Sequence, residues 1–135
     1  MKLRVFALML MAAVIGSCNW IGKTVHGDGN IVSEKRNVKK AEKIVIKGNF
    51  DIVLIPGAET SVVVETDENL QHLVLMSESN DELVFKTKRK FNIKSDHGIK
   101  ITITTPRLSG IHLAGSGNII GKGKFIGANE LKIDI

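Results

Sequence analysis

The stretch that decides the fold is KIVIKGNFDIVLIPG, residues 43–57. It contains two short segments, KIVIK and FDIVLI, that are rich in Ile and Val, residue types favoured in strands. Gly48-Asn49 separates the segments, and both residue types tolerate the backbone angles of a sharp corner. Pro56-Gly57 ends the second segment. The stretch therefore predicts two strands joined by a tight turn.

Similar patterns recur along the chain. Residues 99–104 read IKITIT, which places isoleucines on one face and Lys and Thr on the other, the period-2 pattern of a half-buried strand. Residues 61–65 (SVVVE) and 83–86 (LVFK) predict further strands, and Asn80-Asp81 predicts a turn. Residues 67–70 suit one helical turn capped by Asp67. We therefore predict an all-β body.

The sequence repeats itself weakly. GDGNIV at residues 27–32 matches GSGNII at residues 115–120, and GNFDIV at residues 48–53 is a shorter echo. The apolar-x-apolar patterns at residues 111–113 and 131–133 are offset by about 20 residues, a spacing within the range of structural repeats. Such a period suits one coil of a β-solenoid, in which each coil stacks its apolar residues on the next.

Composition excludes several classes of protein. The single Cys rules out an internal disulfide framework and a multi-Cys metal site. The formal net charge is +5, but Lys2 and Arg4 lie in a predicted targeting segment. Without them 17 basic and 14 acidic residues remain, a net charge of +3. That value is ordinary for a soluble domain, so we expect no nucleic-acid partner.

The N-terminus has the pattern of a lipoprotein signal peptide, assigned to residues 1–17. Lys2 and Arg4 precede an apolar run at residues 5–15, which is shorter than the roughly 20 residues of a bilayer-spanning helix. Ile15-Gly16-Ser17-Cys18 then forms a lipobox. We expect cleavage between Ser17 and Cys18 and attachment of acyl chains such as palmitate to Cys18. Several acyl chains make membrane anchoring stable.

Two other interpretations of this region stay open: a secretory peptide cut elsewhere, and a buried free Cys in an intracellular protein. Asn19, rather than Asp, follows the Cys, so the common signal for inner-membrane retention is absent. We therefore expect a location at the outer membrane of a Gram-negative bacterium, in either leaflet. Residues 18–26 are interpreted as a lipidated tether and residues 27–135 as the body.

Taken together, these segments resemble a known bacterial family, the head GIN domain of auto-transporter adhesins. The resemblance rests on the lipobox, a Gly-x-Gly-Asn-Ile segment, the KIVIKGNFDIVLIPG stretch, an extended segment ending in Thr-Pro-x-Leu, and LAGSGNI. It covers about residues 27–135. It implies a right-handed, single-stranded β-helix or solenoid in the cell envelope, and it supplies no catalytic residues.

The chain departs from the family pattern at its end. The repeat calls for another Gly-Ser-Gly where residues 131–135 (LKIDI) close the sequence. We expect the GIN-type body to be truncated and to lack C-terminal rungs. Such an end exposes strand edges and apolar surface, so marginal stability, poor solubility or pairing through that end is expected.

No catalytic, cofactor or metal site is predicted. The Gly-rich segments lead into strands, whereas a phosphate loop needs a following helix. Ser116 lacks the flanking glycines of a nucleophile elbow. The four histidines have no metal-ligand spacing. The acids are scattered among turns, with none isolated on an apolar strand face.

The densest charge is the run KTKRKFNIK at residues 86–94. One interpretation is a polyanion contact, for acidic glycans, lipopolysaccharide phosphates or an acidic membrane surface. The simpler interpretation, which we favour at this point, is a solvated strand face whose lysines block edge-to-edge pairing. The candidate residues are Lys86, Lys88, Arg89, Lys90 and Lys94.

The sequence therefore predicts a non-enzymatic, lipid-anchored envelope protein that presents a β-solenoid surface for binding or adhesion. Its partners are the membrane, through the anchor, and a glycan or envelope protein. Two alternatives stay open: an enzyme that acts on polysaccharide from a β-helix scaffold, and a structural envelope protein without a ligand.

Overall fold

The structure, a computed structural model, describes residues 22–125 and the backbone of residues 132–134. These residues form strands and one short 3-10 helix, Glu68–Leu73, which confirms the predicted all-β class. The strands are β1 (Lys23–His26), β2 (Ile31–Arg36), β3 (Lys43–Lys47), β4 (Asp51–Pro56), β5 (Ser61–Asp67), β6 (Val74–Ser79), β7 (Glu82–Thr87), β8 (Phe91–Lys94), β9 (Lys100–Thr105), β10 (Gly110–Ala114), β11 (Ile119–Gly121) and β12 (Lys132–Asp134).

Two five-stranded sheets and one strand pair contain these elements. The first sheet has the order β12-β10-β3-β7-β6, and the second has the order β11-β4-β9-β5-β2. Both sheets are parallel at the centre, where β3 and β4 pair with β7 and β9 on one side and with β10 and β11 on the other. Antiparallel strands complete one edge of each sheet. β1 and β8 form a separate parallel pair.

The order of stacking differs from the expected solenoid, in which each coil lies on the preceding one. β10 pairs with β3, not with the more recent β7. The β3–β4 segment is therefore the central layer, with the β7–β9 segment on one side and the β10–β11 segment on the other.

The register of this central contact matches an internal repeat. Lys43 pairs with Gly110 and Ile52 pairs with Ile119, so both sheets keep one and the same offset along the chain. GNFDIV and GSGNII are separated by that offset too, so the weaker echo in the sequence marks strands in contact. The stronger match, GDGNIV, instead leads into β2, which pairs antiparallel with β5.

The repeat between residues 111–113 and 131–133 correctly predicts that these two segments stack, but it predicts the wrong register for their pairing. β10 and β12 do pair, but Ile111 lies opposite Ile133, whereas the repeat aligns Ile111 with Leu131.

In-register pairing aligns apolar side chains into ladders that run across the strands. All the ladder residues are at most 5% exposed, and they belong to one hydrophobic cluster. The ladders of the first sheet are Ile111-Ile44-Leu83 and Leu113-Ile46-Phe85, and those of the second are Ile52-Ile101-Val64 and Leu54-Ile103-Val62. The inner faces of the two sheets thus form the core.

At the corner between the two sheets, the backbones of the stacked segments approach closely. The N–H groups of Gly48 and Phe50 donate to the carbonyls of Ala114 and Ser116, each at 3.2 Å. Gly117 has a φ of +134°, and a Cβ at this position would overlap the carbonyl oxygen of Phe50. The glycine is therefore needed for both backbone conformation and space.

Local predictions succeed where the turn chemistry is strong. Asn80 and Asp81 have φ values of 50° and 63° and form the turn between β6 and β7. The predicted helical turn is the 3-10 helix, although the side chain of Asp67 makes no capping hydrogen bond. β1 lies within the segment interpreted as the tether, so within the described residues strand pairing already begins at Lys23.

The core ladders predict a large difference between two neighbours in β9. Replacing buried Ile103 by Ala removes a methyl-rich side chain from the ladder, and we expect it to lower the free energy of unfolding by about 2–5 kcal/mol. Thr102 lies on the other face, so Thr102→Ala is expected to cost less than about 1 kcal/mol. Chemical denaturation measures both values, and equal losses would contradict the assigned faces.

The corner predicts a second contrast, between two glycines four residues apart. Gly117→Ala creates a clash with Phe50 and a strained φ, and we expect it to destabilise the protein by about 1–3 kcal/mol. Among the described residues, no atom beyond its chain neighbours would lie within 4 Å of a Cβ on Gly121 in β11. We therefore expect Gly121→Ala to be neutral or slightly stabilising, because Ala restricts the unfolded chain. Thermal melting of both variants checks this difference.

Candidate functional site

A buried carboxylate organises the polar loops at the end of β5. Asp67 is 1% exposed, accepts a hydrogen bond from the backbone N–H of Gly29 at 2.7 Å, and accepts another from the hydroxyl of Ser95. A side chain on Gly27 would overlap this carboxylate. The GDGN loop is thus packed directly onto Asp67.

The neighbours of Asp67 favour its charged form. The Ser95 hydroxyl bond lowers the pKa of Asp67 most, burial opposes this effect, and the Gly29 N–H lowers the pKa further. The pKa of the carboxyl therefore lies below its ordinary value. A raised pKa would be expected of a general acid, so this acid has the chemistry of a structural group.

Other acids that could serve a polysaccharide-cleaving enzyme also hold turns in place. Asp28 accepts from the N–H of Asn30 at 3.0 Å. Asp51 accepts from the backbone N–H of Asn118 at 3.0 Å and from its side-chain amide at 3.1 Å. The Asp28 contact lies within one loop, whereas the Asp51 contacts join the start of β4 to the residue before β11.

The histidines lie on separate elements. His26 ends β1, His72 lies in the 3-10 helix, and His112 lies in β10, while His97 follows β8. Among residues 22–125, no group of three or more His, Cys, Asp or Glu side chains is arranged to hold a metal ion.

The structure gathers most of the predicted basic residues at one end of the first sheet. Lys86 lies near the end of β7, and Lys88, Arg89 and Lys90 form the turn that leads to β8. The fold adds two further cations. Lys47 is the register partner of Lys86 on β3, and the backbone N–H of Lys23 donates to the carbonyl of Lys90 at 2.8 Å. We call these six residues the basic end.

The side chains of the basic end are all exposed. The ion pairs within the described ranges join Arg36, Lys40 and Lys100 to nearby acids, so none of them involves the basic end. Lys88 Nζ lies 5.7 Å from the centroid of the Phe91 ring. The charge of this surface is therefore not compensated by neighbouring carboxylates.

Lys94, the fifth predicted contact residue, does not belong to this surface. It pairs with His26 at the far end of β8, about 13 Å along the strand from Lys90. Sequence spacing alone missed Lys23 and Lys47, because only the β1–β8 and β3–β7 pairings bring them to the turn.

A shallow cavity of about 220 Å³ lies between the β3–β4 corner and the β7–β8 turn. Its lining includes the polar side chains of Asn49, Thr87 and Asn92, beside Phe91 and Ile93. This volume is below the roughly 300–1,000 Å³ of small-molecule sites, and the cavity is lined by none of the six residues of the basic end.

The predicted signal peptide, its cleavage position at Ser17-Cys18 and the lipidation of Cys18 lie outside the described residues. Within the described ranges, no helix has the length and apolarity needed to cross a bilayer.

The Asp67 cluster predicts a pH-dependent stability. Because folding lowers its pKa, the carboxylate contributes stability above its unfolded pKa, about 3.9, and this contribution is lost as the pH falls through the lower folded value. We expect Asp67→Asn to cost about 1–3 kcal/mol near neutral pH, with a smaller difference from the wild type in strong acid. The exposed Asp96 provides the control: Asp96→Asn should change the free energy of unfolding by no more than about 0.5 kcal/mol near neutral pH. A pH-independent effect of Asp67→Asn on the denaturation midpoint would contradict this assignment.

Comparisons with solved structures show the same fold in other bacteria. The chain is similar to a structure described as a putative adhesin from Parabacteroides merdae, with a TM-score of 0.68 and 19% identity over 82% of this chain and 46% of that one. It is similar to a putative adhesin from Bacteroides fragilis, with a TM-score of 0.66 and 21% identity over 70% and 44% of the two chains.

A third solved structure, described as a putative lipid binding protein from Parabacteroides distasonis, has a TM-score of 0.67 and 19% identity over 74% of this chain and 44% of that one. The chain thus spans less than half the length of these structures. A sequence comparison with curated proteins gave no match.

A family model described as "Putative auto-transporter adhesin, head GIN domain" matches residues 41–135. This range contains the corner, the ladders and most of the basic end. The chain therefore belongs to the head GIN domain family, as its sequence motifs predicted.

Proposed function

We propose that this chain is a non-enzymatic cell-envelope protein, anchored by lipid on Cys18, whose β-sheet body is an adhesin-type binding module. The observation that carries the proposal is the family match over residues 41–135. The similar structures described as adhesins come from Bacteroides and Parabacteroides, which are Gram-negative bacteria. The outer membrane is the proposed location, supported by Asn19 after the lipobox.

The use of the acids supports a binding role over catalysis. Asp28, Asp51 and Asp67 accept hydrogen bonds from backbone N–H groups in turns. A catalytic carboxylate pair needs one group that is protonated near neutral pH. The lowered pKa of Asp67 is opposite to that requirement.

For the architecture, we propose a right-handed solenoid, as the family resemblance implies, but with coils that stack out of chain order around the β3–β4 segment. The parallel, in-register order β12-β10-β3-β7 supports stacked coils. An experimentally determined structure with left-handed crossovers between the sheets would contradict this proposal.

Lipid anchoring predicts the chemical state of the native protein. We expect mass spectrometry of protein purified from its own membranes to find a polypeptide that begins at Cys18 and carries acyl chains. The Cys18→Ser variant should leave the membrane fraction, because the thiol that receives the lipid is gone. Native protein that begins at Met1 without acyl mass would contradict the proposal.

A further inference from the structure

We propose that the basic end is a membrane-docking surface that binds the phosphate groups of anionic phospholipids beside the lipid anchor. The inference rests on the proposed anchoring at Cys18. It adds a second contact of different chemistry, and it fixes which end of the body faces the bilayer.

Gly22, the first described residue, places the N-terminal side of the chain at the basic end. Gly22 lies against the β7–β8 turn, so close that a Cβ on it would be 3.2 Å from the carbonyl oxygen of Lys90. Cys18 precedes Gly22 by four residues. Four extended residues span at most about 14 Å. Acyl chains on Cys18 therefore enter the bilayer close to Lys90.

The reach of the lysine side chains shortens this maximum separation to about one Debye length. The Debye length at physiological ionic strength is about 8 Å, and lysine side chains extend several ångströms beyond the backbone. When the lipid on Cys18 is inserted in the bilayer, the basic end lies within range of the electrostatic field of the anionic headgroups. A lipid anchor and a polybasic surface together hold a protein more firmly than either does alone.

The two ends of the first sheet differ in how their cations are paired. At the opposite end, Lys40 forms ion pairs with Glu42 at 3.0 Å and with Asp81 at 3.4 Å. Glu78 accepts hydrogen bonds from the backbone N–H groups of Lys39 and Lys40 there. The opposite end therefore mixes cations with acids that pair with Lys40, whereas no ion pair within the described ranges involves the six cations of the basic end.

The basic end is also held in a defined shape. The N–H of Lys88 donates to the carbonyl of Leu73 at 2.8 Å, and the N–H of Phe91 donates to the carbonyl of Lys88 at 3.2 Å. Lys47 and Lys86 extend from paired positions on β3 and β7. The backbone positions that carry the cations are therefore fixed relative to one another, which suits contact with a layer of phosphates.

A membrane fits this surface better than other polyanions. The described part of the basic end has one neighbouring aromatic ring, Phe91, which is half-buried, so it lacks the stacking platform of a single-stranded nucleic-acid site. The position of Gly22 beside the basic end gives no preference for binding an acidic polysaccharide there. The anchor, in contrast, brings anionic lipids to this end.

The test measures vesicle binding with the anchor removed. The mature-length chain carrying Cys18→Ser is mixed with vesicles of phosphatidylcholine alone, or of phosphatidylcholine with phosphatidylglycerol, and the bound fraction is measured by flotation. We expect binding only to the anionic vesicles, and weaker binding as salt is raised. Equal binding to both vesicle types, or to neither, would overturn the inference.

The variants locate the surface. Lys86→Gln, Lys88→Gln and Arg89→Gln together should weaken binding by about two orders of magnitude, at about fivefold per charge. Lys90 is kept, because its φ of +70° makes that position sensitive to substitution. The control combines Lys39→Gln, Lys43→Gln and Arg107→Gln, three exposed cations at the opposite end of the sheet, with the same change in net charge. We expect the control to bind within about twofold of the parent, given that distant surface charges are screened.

The outcomes separate this inference from the proposed function. If both triple variants lose binding equally, net charge rather than the basic end is responsible, and the inference is overturned. Binding to soluble polygalacturonate, but not to anionic vesicles, would overturn it in favour of a glycan site. Absence of acyl chains on the native protein would overturn the anchor but would leave the vesicle result unchanged.

Discussion

The fold depends on the contact between two backbone corners. Gly115 and Gly117 lie directly against Gly48 and Phe50, at a separation that leaves no room for a side chain on either glycine. This contact fixes one register for β3 with β10 and for β4 with β11, since a slip of one residue would turn every side chain to the other face. The aliphatic ladders of both sheets follow from that register.

The same central layer positions the surface with the most functional chemistry. β7 pairs with β3 on the side away from β10, so the β7–β8 turn lies beside the corner and Lys86 lies beside Lys47. β1 then pairs with β8 and brings Lys23, near the start of the described residues, next to Lys90. The strand pairings of the core thereby place Gly22 and the uncompensated cations at the same end of the first sheet.

Sequence patterns predict where the strands lie better than they predict which strands pair with each other. KIVIK coincides with β3, and IKITIT differs from β9 by one residue at each end, because alternating apolar residues report directly on burial. Pairing is a different matter, since an Ile-rich strand fits many partners. The repeat therefore aligned Ile111 with Leu131 instead of with its true partner Ile133, and β1 was assigned to a tether because KTVH shows only weak alternation. The cations of residues 86–90 were visible in sequence, whereas Lys23 and Lys47 joined them only through long-range pairing.

Cross-strand nuclear Overhauser effects between backbone amides test the central contact most directly. The account predicts contacts of β10 with β3, including Ile111 with Ile44 and Leu113 with Ile46, and contacts of Ile119 in β11 with Ile52 in β4. Contacts of β10 with β7, as in a solenoid whose successive coils stack in chain order, would contradict it.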